Sequence, residues 1–521
     1  MPAYAKLGPA FQVLLTADEA YPALEHAFLA AKTEIWASFR IFDLKTRLRS
    51  ANAMVIGKTW FDLFIHTLRR GVNINIVIAD FDPAASLDLH RGTWRSIRMC
   101  NAAAELASGP SSGKLTATPA LHCAKIGSVP RVLVWPAIRS QIKKIAARLN
   151  QMPMAERTAM LREIPIALQN LRLAPDGTLR ACAFPVPHLF PVTHHQKLAV
   201  IDRAVLYIGG LDLNERRFDT ADHDRQSAQT WHDVQLMVRG PVVKEAQQHL
   251  ETFRDVTNGK AAPEKPRRLL RTLSKPRAFA FMAFAPRPVA QDIAKAHEML
   301  AKRASRLIYI ETQYFRDRRL AHFFARMARE TPDLGMILML TAAPDDVAFD
   351  GNRGLDARFG EFLQARALRK LQKAFGARLF VGCPVQPKAA EPQSKGTRAQ
   401  LYGAPIVYIH AKVSIFDRNA AIVSSANLNG RSLRWDTEAG LFISKRPEVE
   451  ELRQRVMRHW LPDDAEPELL DDATAVASWS ALARQNAKTA PEQRRGFVLP
   501  YDLKAPQDFG VEVPLIPEGA M

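Results

Sequence analysis

Cysteine is scarce in this chain of 521 residues: Cys100, Cys123, Cys182 and Cys383 lie far apart, with no C-x-x-C spacing. That argues against a disulfide framework or a cysteine zinc site and fits free thiols in a reducing compartment. No apolar run reaches the ~18 residues that a membrane span needs, so no transmembrane helix is expected. Residues 1–9 lack a basic segment leading into an apolar one, which argues against a conventional secretory signal. Metal-ligand clusters such as H-E-x-x-H or D-x-D-x-D-G are also missing, so neither a metal nor any other cofactor is expected. These absences favour the cytoplasm or the periphery of a membrane; secretion by an unconventional route would leave no mark in the sequence.

Positive charge is abundant. Lys and Arg number 72 against 53 Asp and Glu, a net charge of +19. Such a balance calls for anionic partners, whether phospholipid surface, nucleic acid or small phosphates, without choosing among them. With 47% hydrophobic and 24% charged residues, the composition is otherwise that of an ordinary globular chain.

One short pattern, His-x-Lys-x-x-x-x-Asp, occurs twice: His195, Lys197, Asp202 and His410, Lys412, Asp417. Each copy leads through an apolar run to a small-residue turn, Gly209-Gly210-Leu211-Asp212 and Ser424-Ser425-Ala426-Asn427. Residues two apart on a strand share a face, so each copy sets an imidazole beside an ammonium. That pairing suits a phosphodiester. A single match is weak, but two with the same sequel are hard to dismiss.

The rest of the chain also repeats. Helical spacing over 21–32 and 59–70 alternates with apolar strands at 35–42 and 74–79. The second half repeats the order, with helices at 293–302 and 320–328 and strands at 307–315 and 336–340. Strand, helix and strand in succession predict an α/β fold on a parallel or mixed sheet. Trp231-His232-Asp233 runs into a strand at 234–238 and Asp436-Thr437-Glu438 into one at 439–443, which makes Asp233 and Glu438 counterparts. The first half carries an insertion at about 101–180. Within it, Ile142, Ile145, Ala146 and Leu149 form one face of a helix at 139–149 and Lys143, Lys144 and Arg148 the other. Docking on the core is favoured over a membrane-surface role. The expected division is a first lobe at 1–258, a basic solvated linker at 259–277, a second lobe at 278–462 after a last helix at 448–460, and a tail at 463–521 with little structure of its own.

These motifs resemble those of the phospholipase D superfamily. The resemblance rests on the two His-x-Lys copies, on Gly209-Gly210-Leu211-Asp212-Leu213, on Trp231-His232-Asp233, on the strand through Glu311-Thr312-Gln313-Tyr314 and on Ser425-Ala426-Asn427-Leu428-Asn429-Gly430. Asp212 and Ser424 depart from the usual Asn and Gly. The resemblance implies two lobes, each a mixed β-sheet flanked by helices, related by a pseudo-two-fold axis, with the active site in the cleft between them. Its phospholipid-cleaving branch is the nearer one.

Attack on a phosphodiester needs its charge offset, a nucleophile and an acid for the leaving alkoxide. Lys197 and Lys412 supply positive charge, with Asn427, Gly210, Ser425 and Gln313 as further candidates for substrate contact. Histidine titrates near neutrality, so one imidazole is expected neutral and nucleophilic while its partner is protonated. His195 is taken as nucleophile, forming a phosphohistidine, and His410 as acid and then base, although the near-equivalent motifs allow the reverse. Asp233 and Glu438 would orient the imidazoles. Asp202 and Asp417 complete the catalytic set by motif, while their position at strand ends favours a turn role.

The expected function is therefore metal-independent hydrolysis of a phosphatidylcholine-like phospholipid to phosphatidate and free headgroup, with some transfer to alcohols. The alternatives are a phosphatidyltransferase of the cardiolipin synthase kind, a nuclease, and a non-catalytic lipid-binding protein. Expected partners are the phospholipid substrate and, peripherally, an anionic membrane surface; no nucleic acid is expected, and no oligomer is required for the site. His188, His194, His223 and His297, outside the matched contexts, read as satisfied polar residues.

Overall fold

The computed structural model describes residues 10–392, 397–514 and 516–520. The amino-terminal stretch read above for a signal lies outside the described residues. In the first half the strands are β1 (Phe11–Leu15), β2 (Glu34–Phe39), β3 (Asn73–Ala79), β4 (Leu115–Ala120), a short hairpin of β5 (Leu171–Leu173) and β6 (Leu179–Ala181), β7 (Leu198–Ile201), β8 (Val205–Gly209) and β9 (Val234–Val238). The second half supplies β10 (Leu269–Lys275), β11 (Arg287–Gln291), β12 (Leu307–Thr312), β13 (Gly335–Leu340), β14 (Leu379–Pro384), the small pair β15 (Gln400–Leu401) and β16 (Ala404–Pro405), β17 (Lys412–Phe416), β18 (Ala420–Ser424), β19 (Glu438–Ile443) and β20 (Val498–Pro500).

These strands build two large mixed sheets flanked by helices, ordered β1-β9-β8-β7-β2-β3-β4 and β11-β10-β19-β18-β17-β12-β13-β14-β20. From β10 to β14 the second sheet repeats the first strand for strand. Both have three parallel strands, β2-β3-β4 and β12-β13-β14, and antiparallel neighbours on the motif side. The α/β expectation and most element positions hold. The helix Trp60–Arg69, for example, starts at a Thr59–Asp62 capping box and buries Leu63, Phe64 and Leu68.

Two expectations fail. The basic linker at 259–277 contains β10, which lies between β11 and β19 and is the counterpart of β1. Leu269, Leu270 and Leu273 are buried there, and even Arg271 is covered, its Nε 3.2 Å from Asp292. The tail at 463–521 is structured as well. β20 pairs with β14, and the helix Ala475–Lys488 buries Ala475, Val476, Trp479 and Ala483. The sheet needs a cover on that face, and these residues at helical spacing supply it.

The insertion carries a helix, Ser128–Asn150, longer than anticipated. Its Ile145 and Leu149 pack with Leu87, Met160, Ile164, Ala167 and Leu179, so the apolar face is docked. Among the described residues no helix is long and apolar enough to cross a membrane.

The sheets meet where β8 and β9 lie against β18 and β19. One apolar cluster runs through that contact, from Val13, Leu198, Ile208 and Leu236 to Ile409, Val423, Leu441, Met457 and Trp479. Trp479 is fully buried, and its Nε1 donates to Leu469 O at 2.8 Å. Trp479→Ala should lower stability by about 3–5 kcal/mol in denaturant unfolding; a loss below about 1 kcal/mol would show that the tail is dispensable to the core.

Candidate active site

Both motif histidines stand just before their strands, on segments that cross to the other lobe. His195 N donates to Thr437 O at 2.8 Å and Thr437 N to Thr193 O at 2.9 Å. The second lobe mirrors this: His410 N donates to His232 O at 2.7 Å and His232 N to Tyr408 O at 2.8 Å. Each segment is thereby hooked to the residue preceding the other lobe's carboxylate. In consequence His195 Nδ1 lies 3.0 Å from Glu438, and His410 Nδ1 2.6 Å from Asp233 Oδ2. The carboxylates are fully buried, whereas the imidazoles keep 12% and 8% of their side-chain surface. Only the imidazoles are left facing solvent.

The ammonium groups fold back on their own motifs, Lys197 onto His195 O and Lys412 onto His410 O. Lys197 also lies 3.8 Å from Asp212, but the position matching Asp212 in the second lobe is the uncharged Asn427. Asn427 Oδ1 is buried without a hydrogen-bond partner among the described residues, which leaves it free for a ligand donor.

Other expected substrate contacts have different work. A Cβ on Gly210 would stand 2.2 Å from Asp233 Oδ1, so this glycine makes room for the carboxylate. Its counterpart Ser425 donates to Glu438 Oε2 at 2.5 Å. Gln313 Nε2 binds the Tyr408 and Tyr314 hydroxyls at 2.7 and 3.0 Å. Asp202 and Asp417, in the catalytic set by motif, sit at the far ends of β7 and β17. Asp202 accepts from the amides of Lys32, Thr33 and Glu34, and Asp417 from those of Ser305, Arg306 and Leu307. Each clamps the turn before its lobe's first parallel strand, away from the histidines.

Several residues escaped sequence reading. Arg40 and Arg431 bring charge to bear on His195, and Arg217 on His410. Trp231 packs against His410 with ring centroids 4.6 Å apart and planes tilted by 33°, and the Arg217 guanidinium lies over the indole at 3.7 Å from its centroid. Trp231 stands in a stretch that carries the family resemblance, so that much signal existed; Arg40 carries none.

Burial, then the charges of Lys197 and Arg40, hold His195 well below the usual imidazole value; burial, then Lys412 and Arg217, do the same to His410. Burial pushes Glu438 up to about 8 and Asp233 up to about 7. The expectation of one protonated imidazole therefore fails for the unliganded site, where low polarity disfavours a separated ion pair. Burial also drives Lys412 down to about 7 and lowers Lys197, which Asp212 opposes. An anion bound here would supply the missing negative charge and favour protonation of the lysines and of one imidazole.

Residues 299–460 match the family described as Cardiolipin synthase, PLD-like domain. A cardiolipin synthase of Listeria welshimeri serovar 6b is 23% identical over 261 residues, 50% of this chain and 46% of that protein, so the match spans about half of the relative. Among solved structures, phosphatidylserine synthase of Haemophilus influenzae Rd KW20 aligns at a TM-score of 0.47 and 13% identity, over 98% of this chain and 91% of the other. Polyphosphate kinase of Porphyromonas gingivalis aligns at 0.41 and 10%, over 88% and 49%. Residues 299–460 thus carry a phospholipase D-like domain, and both matches support the resemblance to the phospholipase D superfamily.

Two outcomes follow from this geometry. Lys412 is charged below its value of about 7, so kcat/KM for an anionic substrate should fall as pH rises through it. Lys412→Arg, charged throughout, should remove that limb of the profile even if kcat drops; a limb unchanged in the variant would assign it elsewhere. Asp417→Ala should cost about 2–3 kcal/mol of stability while the folded fraction keeps near-normal kcat; loss of kcat with stability intact would return Asp417 to the catalytic set.

Proposed function

We propose that the chain is a phosphatidyl-transferring phosphodiesterase, acting on a phospholipid through a phosphohistidine and passing the phosphatidyl group to an alcohol. The observation that carries this is the exchange of carboxylates between lobes: two imidazoles, each held through Nδ1 with Nε2 left over, and each close enough to the lysines of both motifs to feel their charge. His195 Nε2 attacks phosphorus while Glu438 holds its Nδ1 proton. The P–O bond to the leaving alcohol breaks, and the alkoxide takes a proton from His410, which the bound anion and Asp233 favour in its charged form. His410 then removes the proton of the acceptor hydroxyl, whose oxygen displaces His195 from phosphorus. Lys197 and Lys412 offset the charge on the non-bridging oxygens, and Asn427 Oδ1 is placed to accept from a ligand hydroxyl.

Water in the acceptor position would give the phosphatidate-forming hydrolysis expected from sequence. The relationship to a cardiolipin synthase supports an alcohol acceptor instead. A lipid substrate is further supported by a pocket that shares Arg40 with the site and is walled by Ile41, Phe42, Ile78, Leu89 and Met99. Peripheral contact with an anionic membrane is supported by exposed apolar side chains, Leu133, Phe184, Phe279, Phe281 and Met282, beside Lys125 and Arg131. The segments carrying them are joined by backbone bonds from Gly127 to Ala283 and from Ile126 to Leu189. They pack on Val192 and Trp435, which precede His195 and Glu438 by three residues each.

The test is incubation with mixed phospholipid vesicles, with and without glycerol or ethanol, and separately with DNA. A phosphatidyl-alcohol product is expected, and its formation should fall by roughly 10³-fold or more in His195→Ala and in His410→Ala. DNA cleavage without lipid turnover, or a near-normal rate in either variant, would overturn the proposal.

A further inference from the structure

Away from the catalytic opening, three more imidazoles converge. His223 follows β8, His232 immediately precedes Asp233, and His459 ends the helix Arg446–Trp460. One nitrogen of each lies within 4.8 Å of the others. His223 and His232 come from the first lobe and His459 from the second. Both first-lobe rings are fully buried.

The second nitrogens show how the rings are set. His223 Nδ1 donates to Asp219 Oδ2 at 2.6 Å, and His232 Nε2 to Glu311 Oε2 at 3.1 Å. Those carboxylates are themselves fixed: Asp219 accepts from Trp231 N at 2.7 Å, and Glu311 from the Tyr309 hydroxyl and the Trp460 indole at 2.6 and 2.8 Å. A carboxylate on the outer nitrogen is the support that orients a metal-ligating histidine. The inner nitrogens then face one another, His223 Nε2 at 2.9 Å from His459 Nε2. His232 Nδ1 is buried with no hydrogen-bond partner among the described residues. A hydrogen bond between His223 and His459 leaves that third atom unsatisfied, which is unfavourable for a buried polar group. A cation satisfies all three.

We propose that His223 Nε2, His232 Nδ1 and His459 Nε2 bind a zinc ion that ties the two lobes together beside the catalytic site. Neutral imidazole is the ligand form, and the outer-nitrogen hydrogen bonds of His223 and His232 to carboxylates leave the inner nitrogens as acceptors. Three nitrogen donors suit zinc, whose bonds to imidazole run about 2.0–2.1 Å; the His223 and His459 rings part slightly from 2.9 Å, and the widest spacing, up to 4.8 Å, closes on the ion. The Trp460 and Phe497 rings stack on His223 and His459 and line the site with apolar surface. The role is positional: His232 O receives the amides of His410 and Ala411, so an ion on the His232 ring fixes the segment that presents Asp233 to His410.

The test uses the full chain, stripped with a chelator, dialysed, and titrated with zinc against a chromophoric competitor. One zinc per chain is expected, with affinity lowered by roughly 100-fold or more in His459→Ala and in His223→Ala. Zinc should also raise the unfolding temperature of the stripped wild-type chain by several degrees, a measurement that does not depend on either variant folding. A stripped wild-type chain that takes up no zinc and shows no thermal shift overturns the proposal, as does a folded His459→Ala chain that binds as tightly as wild type. Neither result bears on lipid turnover, so the two proposals fail separately.

Discussion

Two short backbone bridges between lobes hold the site together. His195 hangs from Thr437 and His410 from His232, and each bridge delivers an imidazole to a carboxylate that follows directly in the other lobe. An imidazole placed by its own lobe alone would have no orienting partner. Neither lobe therefore carries a complete catalytic unit, and the pseudo-two-fold relation of the sheets is what makes the exchange reciprocal. The bridges form because β7 and β17 hold equivalent central places in their sheets, and because the apolar faces around β8 and β18 bring the two sheets together.

Within this symmetry the charges are unequal. Lys197 has Asp212 nearby, while Lys412 looks toward a neutral Asn427 position and falls to about 7. Asp233 is accommodated by a glycine, whereas Glu438 is held by the Ser425 hydroxyl. Trp231 covers one face of His410 and has no counterpart on His195 among the described contacts. These differences separate two otherwise equivalent imidazoles and give a physical basis for distinct roles in one cycle.

Much of this was legible in the sequence, because a repeated motif with matched surroundings leaves little room for coincidence. The paired histidines, lysines and carboxylates and the strands beside them emerged from spacing alone. What failed did so for identifiable reasons. β10 hides behind Lys265, Arg267 and Arg268, and its Arg271 and Lys275 break the apolar pattern, so it reads as a charged connection. The helix around Trp479 follows an acidic, proline-punctuated stretch that suggests a loose tail. Asp202 and Asp417 share the motif with the catalytic residues, but a strand's length of backbone carries them to the opposite end. The bridges and the triple-histidine cluster join positions from opposite halves of the chain, which no local periodicity encodes.

The shared apolar contact between lobes has one more consequence. Because the same cluster belongs to both sheets, the halves cannot swing apart like a hinged clamshell without exposing Leu236, Val423 and Leu441 to water. A ligand therefore meets His195 and His410 between walls that are already fixed, on the side where the two rings keep 12% and 8% of their surface.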